Sequence, residues 1–303
     1  MFDFFYNTIC NNEEVVEKLK EYFKKFPEIG HSAINAAQYL VKTKNYDGFS
    51  KAVSNMQHLL KGTYPELADF YPLMTFAAAA DLTVEVNSQA GIPYDITIET
   101  IKDTNIWIHN FYTTKGRYGL AESSWLARHY AGNLFKLGRL QYEIIPYPNW
   151  SYVLENKRTG ERITLSDDVD VSASGHITGS SGEKDCMFRS SFNNEYNAIT
   201  GNIIDTEKGV IKQDVIRLPK DEWKLILKPG DLVQNVHIPQ GEKLDYEMCL
   251  KSMEEAKRFF AEHFPDIKFF AQITSTWLLD VNLEHILPLE SNIIKFMKLF
   301  EKV

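Results

Sequence analysis

Cysteine is scarce in this 303-residue chain: Cys10, Cys186 and Cys249 lie far apart, and no Cys-x-x-Cys pair occurs. Such spacing encodes neither a disulfide framework nor a cysteine-rich zinc site, so buried or idle thiols are expected. The eight histidines stand singly at 31, 58, 109, 129, 176, 237, 263 and 285, without an HExxH and without a local carboxylate cluster. A metal site would have to be assembled from distant segments, and none is expected. Asp167, Asp168 and Asp170 resemble the start of a calcium loop, but the glycine and the distal glutamate are missing, so a solvated turn is expected there. No stretch reaches the roughly 18 uncharged apolar residues of a membrane span. The start, MFDFFYNTICNN, carries an acid and no basic region. Neither a span nor a signal peptide is therefore expected, and a cytoplasmic location follows. Basic blocks are absent too. The 33 Lys and Arg are interspersed with 41 Asp and Glu, for a net charge of −8, which argues against a phosphate-backbone partner such as nucleic acid.

What is present is core-forming material, with 44% hydrophobic and 13% aromatic residues, enough for two modest domains or one large one. The pattern changes near residue 138. Before it, apolar residues recur at helical spacing: Val15, Val16, Leu19, Tyr22, Phe23 and Phe26 form one face, with Asn11 or Asn12 as N-cap and Pro27 as a stop. Further helices are expected over Ser32 to Lys42, Phe49 to Leu60, Glu66 to Val86, Ile96 to Phe111 and Trp125 to Leu137. After Arg139 the period shortens to two. Leu140, Tyr142 and Ile144, then Tyr152 to Leu154, read as strands, and Lys157 to Glu161 reads as a hairpin turn before Ile163 to Leu165. Ser172 to Gly182 is rich in small residues and reads as an exposed loop. The expected class is α+β: a helical bundle over 1–137, then a mixed β-sheet domain with flanking helices over 138–303.

The last quarter carries most of the functional signal. Leu232, Val233, Val236 and Ile238 fit a strand ended by Pro239, followed by the short loop Gln240 to Lys243. A helix follows, with Asp245 as candidate cap and Cys249, Met253, Ala256, Phe260 and His263 on one face. Phe269 to Leu279 is apolar enough for a long buried strand, with a parallel pairing expected. A crossover of this kind leaves unpaired backbone N–H groups at the helix start, where an anionic ligand is favoured; a CoA pyrophosphate suits the place.

These segments contain LGRLQYE (Leu137 to Glu143), LPKDEW (Leu218 to Trp223), KPGD (Lys228 to Asp231) and HIPQGEKLD (His237 to Asp245). They are followed by Ser252, Ala256, Phe259, Phe260 and an HFP run, then by TWLLD and LPLESNIIKF. In these motifs, spread over residues 137 to 296, the chain resembles the GNAT-like acyltransferases that pair a helical N-terminal domain with a GNAT-like C-terminal domain. The resemblance implies acyl-CoA chemistry, with acetyl-CoA or another acyl-CoA as substrate, no metal, and an unidentified small-molecule or peptide amine as acceptor. It implies that the His237 strand is the splayed central strand and that N–H groups near Val236 and Ile238 polarise the thioester carbonyl. Gln240, Gly241 and Lys243 would hold the pyrophosphate, and the Phe269 to Leu279 strand, with Ser275, would line the pantetheine groove. Three departures stand out. The Gln/Arg-x-x-Gly-x-Gly/Ala phosphate loop is absent, Gly241 being the only glycine after Asp231; Phe300 stands where a tyrosine general acid is expected; and the resemblance implies further strands beyond Val303.

Each candidate has a plainer reading. His237 is the candidate general base for an attacking amine, since imidazole titrates near neutrality, although a strand histidine is more often a hydrogen-bonded structural group. Glu242 is a second candidate base at the loop mouth, or simply a solvated glutamate. Lys243 pairs with a CoA phosphate or is a surface charge. Ser275 and Thr276 read as satisfied hydroxyls of a buried strand, and no Gly-x-Ser-x-Gly elbow surrounds either. Asp280 and Asn292 read as helix caps. Tyr142, Tyr147, Trp150 and Tyr152 suit a sugar-stacking platform or ordinary packing. The leading expectation is an acyltransferase working through a ternary complex. Its rivals are a catalytically inactive GNAT-like binding or scaffolding protein and a carbohydrate-binding β-domain with a helical accessory. Oligomeric state is not encoded.

Overall fold

The computed structural model describes the whole chain except residues 149, 180, 181 and 183. The helical part comprises α1 (Phe2–Phe4), a π-helical turn (Phe5–Cys10), α2 (Glu13–Lys25), α3 (Pro27–Thr43), α4 (Tyr46–Lys61), α5 (Pro65–Gln89), α6 (Tyr94–Ile101), α7 (Asp103–Lys115) and α8 (Ser123–Tyr130). Strands follow: β1 (Leu134–Leu137), β2 (Leu140–Pro146), β3 (Ser151–Asn156), β4 (Arg162–Ser166), β5 (Asp170–Val171), β6 (Phe188–Arg189), β7 (Phe192–Asn194), β8 (Ala198–Asp205), β9 (Val210–Pro219), β10 (Trp223–Leu227) and β11 (Leu232–His237). The chain closes with α9 (Tyr246–His263), β12 (Gln272–Ile273), two 3₁₀ turns and α10 (Asn292–Met297). It is an α+β protein, helices first and mixed sheets after, as the sequence leads one to expect. No helix among the described residues is long and apolar enough to cross a membrane.

Two compact units divide the chain. One holds Met1–Glu143, His237–Lys243 and Met248–Pro265; the other holds Ile144–Val236, Leu244–Glu247 and Asp266–Val303. The first unit contains the helical core. Helix α2 begins where the Asn12 side chain accepts from Val15 N, carries Glu13 and Glu14 in its first turn and Lys24 and Lys25 in its last, and buries Val15, Val16, Leu19 and Tyr22. Pro27 stops α2 and also opens α3 at its first position, where a missing N–H costs nothing. Helix α5 is buried almost throughout from Leu67 to Ala80 and contains Pro72. Pro72 cannot donate to the carbonyl of Ala68; Gln57 Nε2 donates to it instead at 3.1 Å.

Two helices end sooner than the apolar pattern implies. The Ile96 to Phe111 stretch is two helices, broken at Lys102, because Asp103 is buried at the first position of α7 with its carboxylate engaged by side chains outside α6. The helix expected over Trp125 to Leu137 stops at Tyr130. Gly132 takes a left-handed φ of +65°, and an added Cβ would meet Asn87 Oδ1 at 2.7 Å, so residues after it start strand β1. A two-residue turn joins β1 to β2 in register Leu137↔Leu140. Gly138 has φ +61° and Arg139 does not, the pattern of a II′ hairpin turn.

Leu140 and Tyr142 face helix α9. Ser252 Oγ donates to Leu137 O, accepts from Leu140 N at 3.1 Å and lies 3.0 Å from Tyr142 Oη, while Phe135 packs on Phe259 and Phe260. The buried stripe of α9 is Cys249, Ser252, Ala256, Phe259 and Phe260. Met253 and His263, expected on it, are only partly covered, because the aromatic cluster with Phe135 turns the helix toward Phe259.

In the second unit an antiparallel sheet runs β10-β3-β4-β8-β7, with β9 on β8. Asp168 and Asp170 are paired to Arg189 at 2.8 and 2.7 Å. The loop expected over Ser172 to Gly182 includes residues 180 and 181, which lie outside the described residues. The same unit pairs β11 with β12. Strand β12 is parallel to β11 but pairs only at Gln234↔Gln272 and Asn235↔Ile273. The long buried strand expected over Phe269 to Leu279 is therefore a two-residue strand: beyond Ile273 the chain leaves the sheet, Thr276 caps a 3₁₀ turn, and Trp277 is 72% exposed. Ser275 is exposed rather than a core hydroxyl for the same reason. Asp280 does cap the next 3₁₀ turn, whereas the cap of α10 is Ser291, with Asn292 as its first residue.

Candidate active site

The first unit brings together side chains from α7, α8, β2 and the segment after β11. On α7, Asp103 and Trp107 are one turn apart and share a face; on α8, Trp125, Arg128 and His129 do the same. On β2, Gln141 and Glu143 alternate with Leu140 and Tyr142 and point away from α9. His237 ends β11 and is followed by Ile238 and Pro239.

Glu143, 1% exposed, is the hub of a charge chain. His237 Nε2 lies 3.0 Å from Glu143 Oε2, and Arg128 Nη1 donates to both carboxylate oxygens at 2.9 and 3.0 Å. Burial pushes the Glu143 carboxyl upward, but the His237 hydrogen bond and the Arg128 charge outweigh it, and its pKa sits below the ordinary carboxylate value. An ionised carboxylate only accepts, so His237 carries a proton on Nε2 and donates it to Glu143. The ring is also fixed by an edge-to-face contact with Trp125, centroids 4.8 Å apart at 74°.

Trp125 also touches a second imidazole, His129, at 5.0 Å and 77°. His129 is fully buried; its Nδ1 lies 3.2 Å from Trp125 O, which fixes the proton there, and its Nε2 is 3.5 Å from Asp103 Oδ2. Burial pushes the His129 pKa below its ordinary 6.5, against the opposing pull of Asp103 and the Trp125 carbonyl. Below pH 6.5 the unfolded chain therefore takes up a proton that the folded chain refuses, and stability falls as pH drops toward the lowered folded value. The slope from this group is at most about 1.4 kcal/mol per pH unit. His129→Gln is expected to flatten that part of the curve in urea titrations between pH 7 and 5; an unchanged slope would contradict a buried neutral ring.

Asp103 gathers neutral donors. Trp107 Nε1 and Trp125 Nε1 donate to Oδ2 at 2.9 and 3.2 Å, and Gln141 Nε2 donates to Oδ1 at 3.0 Å. A cleft of about 180 Å³ lies here, lined by Asp103, Trp107, Trp125, Gln141, Ile238 and Gln240 among others. A neighbouring cleft of about 250 Å³ shares Asp103, Pro239 and Gln240 and extends past Lys136, Arg139, Gly241 and Glu242.

Arg139 shapes that second cleft from beneath. Only 3% exposed, it donates from Nε to Lys243 O at 3.0 Å, from Nη1 to Pro239 O at 3.1 Å and from Nη2 to Glu242 O at 2.6 Å. One guanidinium thus pins the turn Pro239 to Lys243 by its carbonyls. The Gln240 side chain accepts from Asn110 at 3.0 Å, and Gly241, φ +108°, has nothing within 4 Å of the place of a Cβ. A ligand can approach this backbone closely.

Among the sequence candidates, His237, Ile238, Gln240, Gly241, Glu242 and Lys243 lie together in the first unit. Glu242 is exposed and 3.8 Å from Lys136, and the Lys243 side chain is exposed. Val236 is buried in the second unit, its carbonyl accepting from Thr274 Oγ1 at 2.8 Å; Ser275 also belongs to that unit. Sequence reasoning missed Asp103, Trp125, Arg128, His129, Arg139, Gln141 and Glu143. The one available signal was LGRLQYE, a hairpin strand with two long polar side chains on one face. No cluster of three or more potential metal ligands occurs among the described residues.

Comparison with known proteins gives two family matches, an N-acyltransferase N-terminal domain over residues 11–132 and a GNAT-like C-terminal domain over residues 134–303. Among solved structures, an acyltransferase mutant in complex with octanoyl-CoA is similar, with a TM-score of 0.58 and 16% identity over 98% of this chain and 67% of its own. An acyltransferase in complex with decanoyl-CoA and teicoplanin has a TM-score of 0.48 and 17% identity, over 82% of this chain and 56% of its own. The chain thus spans between about half and two thirds of these proteins, and the likeness to the first is one of fold. No curated protein matches.

Proposed function

Since this chain belongs to the family in which an N-acyltransferase N-terminal domain precedes a GNAT-like C-terminal domain, we propose that it transfers an acyl group from acyl-CoA to an amine. The observation that carries the reading is the pair of family matches, which together span nearly the whole chain. The His237–Glu143–Arg128 chain supplies chemistry of the right kind, and the fold is shared with an acyltransferase that binds octanoyl-CoA.

In this reading a neutral amine nitrogen attacks the thioester carbonyl carbon and a C–N bond forms. The proton shed by nitrogen passes to the His237 imidazole, the C–S bond breaks, and the departing CoA thiolate takes that proton from the imidazolium. Glu143 holds the ring and stabilises its charged form. No covalent enzyme intermediate is needed. The pyrophosphate is assigned to the Gln240 to Lys243 turn, with Glu242 at its mouth, and the N–H group at Ile238 polarises the carbonyl. Acetyl-CoA and medium-chain acyl-CoAs are the candidate donors; a small-molecule or peptide amine is the acceptor, and the reaction is cytoplasmic.

The second reading, an inactive GNAT-like binding or scaffolding protein, is favoured by one observation. Phe300, packed on Phe296 at 5.3 Å, carries no proton to donate at the position where the resemblance implies a tyrosine acid.

Calorimetric titration with acetyl-, octanoyl- and decanoyl-CoA and free CoA, on wild type and Lys243→Glu, tests the proposal. Saturable binding is expected, weakened about fivefold by the charge reversal, the size suited to an exposed pair. Absence of binding to all four would overturn the enzyme reading.

A further inference from the structure

We infer that the smaller cleft of the first unit is the subsite for the acceptor's amino group, taken up as a primary ammonium that releases one proton to solvent before the neutral nitrogen attacks; this rests on the acyl-transfer reading and names its acceptor chemistry. The inference starts from an unused acceptor. Gln141 is fully buried, its Nε2 donates to Asp103, and its Oε1 has no hydrogen-bond partner while the residue lines the cleft. A carboxylate cannot donate, so the amide orientation is fixed by chemistry, and Oε1 is the unsatisfied atom. Leaving a buried carbonyl oxygen unpaired carries a free-energy penalty that a ligand donor removes.

The rest of the wall has the same polarity. Both indole N–H groups are engaged by Asp103, so Trp107 and Trp125 contribute carbon surface, and Asp103 contributes negative charge. A wall of one carboxylate, one unpaired amide oxygen and two indoles recognises a compact cation with several N–H donors. It offers no cation to a phosphate or a carboxylate, and the Trp107, Trp125 and Gln141 N–H groups are bonded to Asp103; the Gln240 amide is the other side-chain donor that lines it. Trp125 is also the ring against which His237 packs, so an ammonium docked here lies at the indole that borders the base.

The test uses the full chain, labelled with ¹⁵N-tryptophan and titrated with n-butylammonium, with n-butanol as the neutral control and no acyl-CoA present. Of the five indole signals, those of Trp107 and Trp125 are expected to shift saturably with the amine and not with the alcohol. Gln141→Leu should weaken the amine at least about tenfold, the size of a lost hydrogen bond to a charged group. Equal response to amine and alcohol, or shifts confined to other indoles, would overturn the inference even if the variant failed to fold. Acyl-CoA binding, measured separately, reads the acyl-transfer proposal on its own: an ammonium site without CoA affinity would remove the reaction and leave the subsite standing.

Discussion

His237→Asn is expected to lower kcat for amide formation by about two to four orders of magnitude, the range of a lost general base, with acyl-CoA affinity within about twofold of wild type. Asparagine keeps a polar amide beside Glu143 and Trp125 but cannot take a proton. The contrast that makes the test specific is Glu143→Gln. Glutamine can still contact the imidazole, yet it removes the charge that Arg128 and His237 both face, so the effect divides between catalysis and stability. Breaking a fully buried ion pair from one side costs about 3–5 kcal/mol, and less is expected here because Arg128 and His237 are 35% and 24% exposed. A kcat for His237→Asn above one tenth of wild type, with the fold intact by circular dichroism, would exclude His237 as the base. The reciprocal swap His237→Gln at several amine concentrations then separates a defect in chemistry from one in acceptor binding, because only the second is overcome by more amine.

What was legible in the sequence were features with a local cause. Helix α2 is announced by Asn12, its two following acids and a stripe at helical spacing, and β11 by alternation ending before a proline. The breaks were not legible, because their causes are distant. The end of α8 depends on Asn87 closing the space at Gly132, and the split between α6 and α7 on side chains of α8 and β2 reaching Asp103. The strand expected over Phe269 to Leu279 failed for the converse reason. Apolar composition says that a segment can be buried, not that a partner strand continues beside it past Ile273. For the site, His237 was readable from its motif, but its tautomer depends on Glu143, 94 positions earlier, and nothing local in either segment states the pairing.

Arg139 combines the local and the distant, and its removal is expected to have the largest structural effect. It occupies the second position of the β1–β2 turn, where almost any residue satisfies the backbone; sequence logic alone makes it an exposed charge. Instead it is buried and holds three carbonyls of the Pro239 to Lys243 turn. Arg139→Met keeps the stem but strips all three donors, leaving three carbonyls to find water where the chain is folded against itself. A loss of about 3 kcal/mol or more is expected, since hydrogen bonds from a charged group contribute about 1.5–3 kcal/mol each and share one side chain. Arg139→Lys should recover only part of this, because an ammonium cannot span the three directions that the planar fork serves. Limited proteolysis localises the effect: cleavage within 240–243 should rise in the methionine variant while α2 to α5 stay resistant. The same variant is expected to bind octanoyl-CoA at least about tenfold more weakly, because a turn that must be ordered on binding spends interaction energy on its own entropy. Unchanged cleavage at 240–243 would mean that the turn does not depend on the guanidinium, which is then an accessory.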